Sequence, residues 1–210
     1  MSSPFGLYLI TDRRQTRGRP LLDVVRESVE AGVRAIQFRE KDLSVRQQLD
    51  LIEAIQKITK PYGVKLFIND RIDLVLAVDA DGVHLPENGL PVSVARHLIG
   101  PQKMIGVSCH SLETVLRAQN SGADFALLGP VYDTPSKRAY GAPLGIDRFR
   151  LIRQSAAIPL FAVGGIGESQ LDELFDAGAN GVAMVSSIMG SPNVSAQCAA
   201  ILDKIRRRRG

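Results

Sequence analysis

Eight short apolar runs, each followed by an amphipathic stretch, constrain this chain most. The runs cover residues 6–11, 35–38, 64–68, 82–85, 104–108, 125–128, 160–163 and 181–185 and are rich in β-branched side chains. The stretches between them cover 21–31, 45–58, 72–78, 92–99, 112–120, 146–154, 169–177 and 196–206. Continuous apolar runs suit parallel strands buried on both faces; a half-exposed strand would alternate. The stretches carry the helical period, and Leu51, Ile52, Ile55 and Ile58 form one stripe. Gly follows Ala31, Ser121 and Ala177, where a helix would end before the next strand.

Eight β–α pairs without a break in composition predict a single α/β domain over residues 1–210, a closed (β/α)8 TIM barrel. An open doubly wound sheet would place a glycine-rich turn after its first strand. That turn is Thr11-Asp12-Arg13-Arg14 here. The 45% hydrophobic and 23% charged content is that of a soluble domain. The net charge of +4 includes the terminal run Arg206–Arg209, which reads as a solvated helix end. No stacking aromatics accompany it, so no nucleic-acid partner is expected. Cys109 and Cys198 are too few for a disulfide framework or a zinc site, and no apolar run reaches the ~18 residues of a membrane span. A reducing cytoplasm and no membrane contact are expected, with no oligomeric state set by the sequence.

In such a barrel the strand ends at the C-terminal face carry the chemistry. Strands 7 and 8 end in Val163-Gly164-Gly165-Ile166 and Met184-Val185-Ser186-Ser187, small residues suited to a phosphate approaching backbone N–H groups. Strand 2 ends in Gln37-Phe38-Arg39-Glu40-Lys41 and strand 3 in Asn69-Asp70-Arg71. Strand 4 holds His84, strand 5 ends in Ser108-Cys109-His110, and Thr134-Pro135-Ser136-Lys137 follows strand 6. Lys41 and Lys137 are point-charge phosphate binders, and Asp70 is a hard oxygen ligand suited to Mg2+. Ser108, Thr134 and Ser136 can donate to phosphate oxygens. These groups suggest either two phosphorylated ligands or one pyrophosphate and one phosphate. Simpler readings exist. Residues 39–41 could be a solvated loop, Asn69-Asp70 a helix cap, His84 a hydrogen-bonded core histidine, and Gly164-Gly165 a tight turn.

Taken in order, Tyr8–Asp12, Gln37–Lys41, Ile68–Arg71, Gly106–Ser108, Gly129–Tyr132 with Thr134–Lys137, and Gly164–Ile166 resemble thiamine phosphate synthase. The resemblance spans nearly the whole chain. It implies a (β/α)8 barrel that joins a hydroxymethylpyrimidine pyrophosphate to a thiazole phosphate by a dissociative path. Pyrophosphate leaves first, and the thiazole nitrogen captures a pyrimidine methylene cation. It also implies that Gln37, Arg39, Lys41, Asn69 and Ser108 contact the pyrimidine substrate and Lys137 the leaving group. Lys41, Lys137 and Ser108 are then the candidate catalytic groups. Asp70 would bind Mg2+. Thr134 and Ser136 would face the thiazole phosphate, with Gly165, Val185 and Ser186 completing its cradle.

One segment departs from the family pattern. After strand 4 the family usually shows His-Leu-Gly-Gln, one acidic or small residue, then an Asp that is the second magnesium ligand. This chain reads His84-Leu85-Pro86-Glu87-Asn88-Gly89, with Gly89 in the carboxylate's place. Glu87 could substitute through a shifted loop. The segment also resembles the thiazole tautomerase branch, which needs no pyrophosphate or magnesium. A tautomerase here would use His84 or His110 as its acid–base, and a non-catalytic relative would bind phosphate without turnover.

Overall fold

The computed structural model describes residues 5–135, 138 and 141–209. Eight parallel strands close into a barrel in the order β1 to β8, and β1 pairs with β8 through Leu7↔Val182 and Leu9↔Met184. The strands are β1 (Leu7–Ile10), β2 (Ala35–Phe38), β3 (Lys65–Asn69), β4 (Gly82–Leu85), β5 (Met104–Cys109), β6 (Phe125–Leu128), β7 (Leu160–Val163) and β8 (Gly181–Met184). The helices around them are α1 (Leu21–Glu30), α2 (Val45–Thr59), α3 (Ile72–Ala77), α4 (Val92–Ile99), α5 (Leu112–Asn120), α6 (Ile146–Ser155), α7 (Leu171–Asp176), α8 (Ser186–Met189) and α9 (Val194–Arg209).

Each predicted strand and helix is found, with ends shifted by a few residues. The difference of substance follows β8. A separate four-residue helix, α8, starts at once, and Gly190 ends it before α9. The glycine stops act as read. After α1, Gly32 sits at φ 108° and the Val33 N–H returns to Ser28 O at 3.0 Å. This six-to-one closure satisfies a carbonyl that the helix end would leave open. Ala123 to Ala118 and Ala179 to Leu174 repeat it after α5 and α7. The terminal basic run is tied down: Arg208 pairs with Asp172 and Asp176 of α7, and Arg207 with Asp203.

Two apolar cores follow from burial on both strand faces. The outer one joins barrel and helices, with Ile52 and Ile55 of the α2 stripe fully buried. The inner one is aromatic: Phe5, Tyr8, Phe67, Phe125 and Phe161 fill the barrel, with Phe5 stacked on Tyr8 at 5.6 Å, tilted against Phe161 at 5.1 Å, and Phe67 edge-on to Phe125 at 5.4 Å. Inward glycines make room for them. A Cβ on Gly106 would stand 2.4 Å from Phe125 Cζ. This plug closes the barrel from below, so ligands can enter only the rim where the strands end. Among the described residues no helix is long and apolar enough to cross a membrane.

Candidate active site

Lys41, Asn69, Asp70 and Arg71 meet at the rim. They line one cavity of about 340 Å3 between the loops after β2 and β3. That is within the range of small-ligand pockets. The solvated-loop reading of residues 39–41 does not hold for Glu40, whose side chain is 2% exposed and lies against Arg13. Arg39 is anchored through its backbone, its N–H donating to Thr11 Oγ1 at 2.9 Å.

Asp70 is no helix cap. Residue Arg71 occupies the N-cap of α3, and no side chain closes that end. Asp70 instead adopts φ 65°, the left-handed region that non-glycine residues enter at a cost, with its N–H on His84 O at 2.9 Å. Its carboxylate is exposed and lies within the field of Arg71. Arg71 turns to Asp73, which raises the Arg71 pKa. Among the described residues no three His, Cys, Asp or Glu side chains gather as a metal cluster. One exposed carboxylate beside a lysine fits Mg2+ in its usual manner, held by one or two carboxylates and substrate phosphates.

Gln37 and Ser108 sit on the inner wall. Gln37 is 1% exposed, lies in register with Ile10 and Phe67, and its Nε2 has no hydrogen-bond partner. It influences the nearby Tyr8 hydroxyl without hydrogen-bonding geometry, while burial holds the Tyr8 phenol well above its usual pKa. Ser108 Oγ lies 3.0 Å from His84 Nε2. His84 is thus the hydrogen-bonded core histidine of the simpler reading, and its partner is Ser108, a residue the sequence marks as a candidate for the site. Burial, aided by the Arg39 charge, depresses its pKa to about 3, so the ring is neutral at physiological pH.

The loop after β4 explains the family departure. Glu87 turns away toward the loop after β5, where its Oε2 accepts from His110 N at 3.0 Å and lies 2.7 Å from His110 Nδ1. Gly89 closes a tight turn with its N–H on Pro86 O at 2.9 Å. A Cβ there would meet Pro86 Cδ at 2.8 Å and Cγ at 2.9 Å. Proline at 86 and glycine at 89 are therefore one steric unit.

On the far rim, Gly164 and Gly165 have φ 96° and 66°. They satisfy a packing demand the sequence reading did not identify. Val131 N–H and Tyr132 N–H donate to Val163 O and Gly164 O, and a Cβ on Gly165 would strike Asp133 O at 2.5 Å. Thr134 follows this seated segment and is half-buried. Ser136 and Lys137 lie outside the described residues. Val185 caps α8, so the Ser186 and Ser187 N–H groups begin that short helix without intrahelical partners. Ser187 Oγ is buried and unpaired beside them. A short helix after β8 is a recurrent phosphate seat in this fold. The Arg13–Glu40 contact, Arg71 at the cavity and α8 were not singled out by sequence reasoning.

Residues 7–188 match the family described as Thiamine monophosphate synthase. A putative thiamine-phosphate synthase of Geobacter sulfurreducens is 50% identical over 198 residues, 94% of this chain and 93% of that protein. A thiamine-phosphate synthase of Chloroflexus aurantiacus is 41% identical, covering 90% and 88%. The solved thiamine phosphate pyrophosphorylase from Pyrococcus furiosus superposes with a TM-score of 0.89 at 35% identity, covering 98% of this chain and 97% of that one.

Proposed function

This chain belongs to the thiamine monophosphate synthase family and is a transferase, and on that premise we propose how its rim residues carry out the condensation. The substrates are a hydroxymethylpyrimidine pyrophosphate and a thiazole phosphate; the products are thiamine phosphate and pyrophosphate. The observation that carries the assignment of roles is the cavity lined by Lys41, Asn69, Asp70 and Arg71, where two cationic side chains and one carboxylate meet. Heterolysis of the methylene C–O bond sends the electron pair out with pyrophosphate. The thiazole nitrogen then forms the new C–N bond to the pyrimidine cation.

The protein's part is positioning and charge neutralisation. Lys41 meets the pyrophosphate oxygens, and Lys137 joins it on the leaving group. Asp70 would hold Mg2+, which when bound offsets the charge that builds on the departing pyrophosphate. Gln37 and Asn69 present amides to the pyrimidine. Ser108, steadied by His84, offers a hydroxyl at the same wall. Thr134 and Ser136 face the thiazole phosphate, with the Gly165, Val185 and Ser186 backbone opposite. A cytoplasmic setting agrees with two cysteines that are buried and unpaired.

The test is formation of thiamine phosphate from the two substrates, with and without Mg2+. Activity that requires the metal and falls on Lys41→Ala and Asp70→Asn is expected. No product at saturating metal would overturn the reading.

A further inference from the structure

Both neighbours of Lys41 in the sequence are held by one residue outside the cavity. Arg13 sits in the single turn of 3-10 helix (Arg13–Gln15) after β1. Its backbone N–H donates to both Glu40 oxygens, at 3.1 and 3.2 Å, and its guanidinium reaches Glu40 Oε2 at 3.1 Å. The same guanidinium grips Asp42 with two parallel bonds of 2.6 and 2.5 Å, and Arg14 adds a third at 2.7 Å. These contacts push the Arg13 pKa up and hold the Asp42 carboxyl well below the usual range.

Two consequences follow. The first is mechanical. Lys41 sits on a surface loop, and a lysine there carries much rotamer and backbone freedom to lose on binding. Glu40 and Asp42 clamp the backbone on either side of it. The second is electrostatic. Residues 40–42 alone sum to one negative charge, two carboxylates against one ammonium, at a place that would receive pyrophosphate. Arg13 and Arg14 reverse that sign.

We propose that Arg13 is a positioning residue for the pyrophosphate site, holding Lys41 in place and masking Glu40 and Asp42 from the anion. The inference rests on the reading of Lys41 as a pyrophosphate contact. The turn that carries Arg13 also packs against α8, but its guanidinium is directed to Glu40 and Asp42 of the loop after β2.

The probe is inorganic pyrophosphate, its Kd measured by calorimetry at fixed Mg2+ in low and high salt, together with KM for the thiazole phosphate. Arg13→Gln should weaken pyrophosphate on the order of tenfold at low salt, with part of the loss vanishing at high salt where masking no longer matters. The thiazole phosphate KM should change by about twofold at most, since the Arg13 guanidinium bonds Glu40 and Asp42 while its turn meets α8 through other atoms. Arg13→Lys keeps the charge and loses the planar fork, so it should fall between. It also serves if Arg13→Gln fails to fold. Adding Asp42→Asn to Arg13→Gln should restore part of the affinity. Lys41→Ala separates the two ideas. If it binds pyrophosphate as the wild type does, the Lys41 reading and the proposal fall together. If Lys41→Ala binds weakly while both Arg13 variants bind normally, only the proposal fails. Equal losses for pyrophosphate and thiazole phosphate would also overturn it, as a general structural lesion.

Discussion

Restoring the family carboxylate with Gly89→Asp should fail on its own and succeed with a second change. The turn leaves no room for a side chain, because a Cβ at 89 lies 2.8 Å from Pro86 Cδ, 2.9 Å from Cγ and 3.1 Å from Pro86 O. A free side-chain end could swing aside, but a pyrrolidine ring is locked to its own backbone. The turn must open, at a cost of about 1–3 kcal/mol, the usual range for forced overpacking. An opened turn also delivers the new carboxylate to no defined place. Pro86→Gly/Gly89→Asp removes the two closest atoms and relaxes the clash, less about 0.5–1 kcal/mol for the added glycine freedom. Urea denaturation should show Gly89→Asp destabilised and the double variant near wild type. Mg2+ titration with inorganic pyrophosphate present should show no gain for the single variant. The double variant should gain on the order of tenfold, about 1.4 kcal/mol. A Gly89→Asp protein of wild-type stability that tightens Mg2+ would refute the coupling.

Asp70→Gly should raise the urea midpoint while abolishing the Mg2+ response; the gain is about 1 kcal/mol at most, the left-handed cost less the glycine entropy. An unchanged Mg2+ affinity would remove Asp70 from the metal site. His84 is neutral when folded, with a pKa of about 3, and takes a proton near 6.5 when unfolded, so its contribution is present above 6.5 and is lost as pH falls below it. Stability should drop by roughly 2 kcal/mol from pH 7 to pH 5 on its account. His84→Gln should flatten that slope, and an unchanged slope would contradict the burial argument. Burial pushes the Cys109 and Cys198 thiols up to about 12 and about 11, so neither should be alkylated by iodoacetamide at pH 7.5 until the chain is unfolded. Rapid labelling of the native protein would refute this.

The barrel was legible because its signals are local and repeated. A buried parallel strand writes itself as an apolar run, and a helix end as a glycine that only the left-handed closure needs. The rim residues were legible by type and position for the same reason, since strand ends fall on one face. What the sequence hid depends on long-range geometry. Glu40 reads as one charge in a charged loop until Arg13, 27 residues earlier, is seen to bury it. Asp70 reads as a cap because Asp caps helices; in the fold its neighbours close a tight turn across it, Arg71 N–H to Asn69 O at 2.8 Å, while its own N–H reaches His84 O on the next strand. The α8 helix has four residues, too few to show a period.

Gly164 and Gly165 show how one motif can answer two demands. As sequence, they suit a phosphate, because glycine lets an anion reach the backbone. The structure adds a demand that would exist without any ligand. Residues 131 and 132 bond to the end of β7, and Asp133 O occupies the space a Cβ on Gly165 would take. The segment seated there leads directly to Thr134. On the proposed function, a side chain at 165 would therefore act in two ways: by blocking backbone approach to the thiazole phosphate, and by displacing the segment that leads to Thr134. The two rims of the mouth are thus held by different means. Ion pairs with Arg13 fix the Lys41 side, and close packing on glycine fixes the Thr134 side. Raised salt should loosen the first far more than the second, because screening weakens charge pairs and leaves contact distances unchanged.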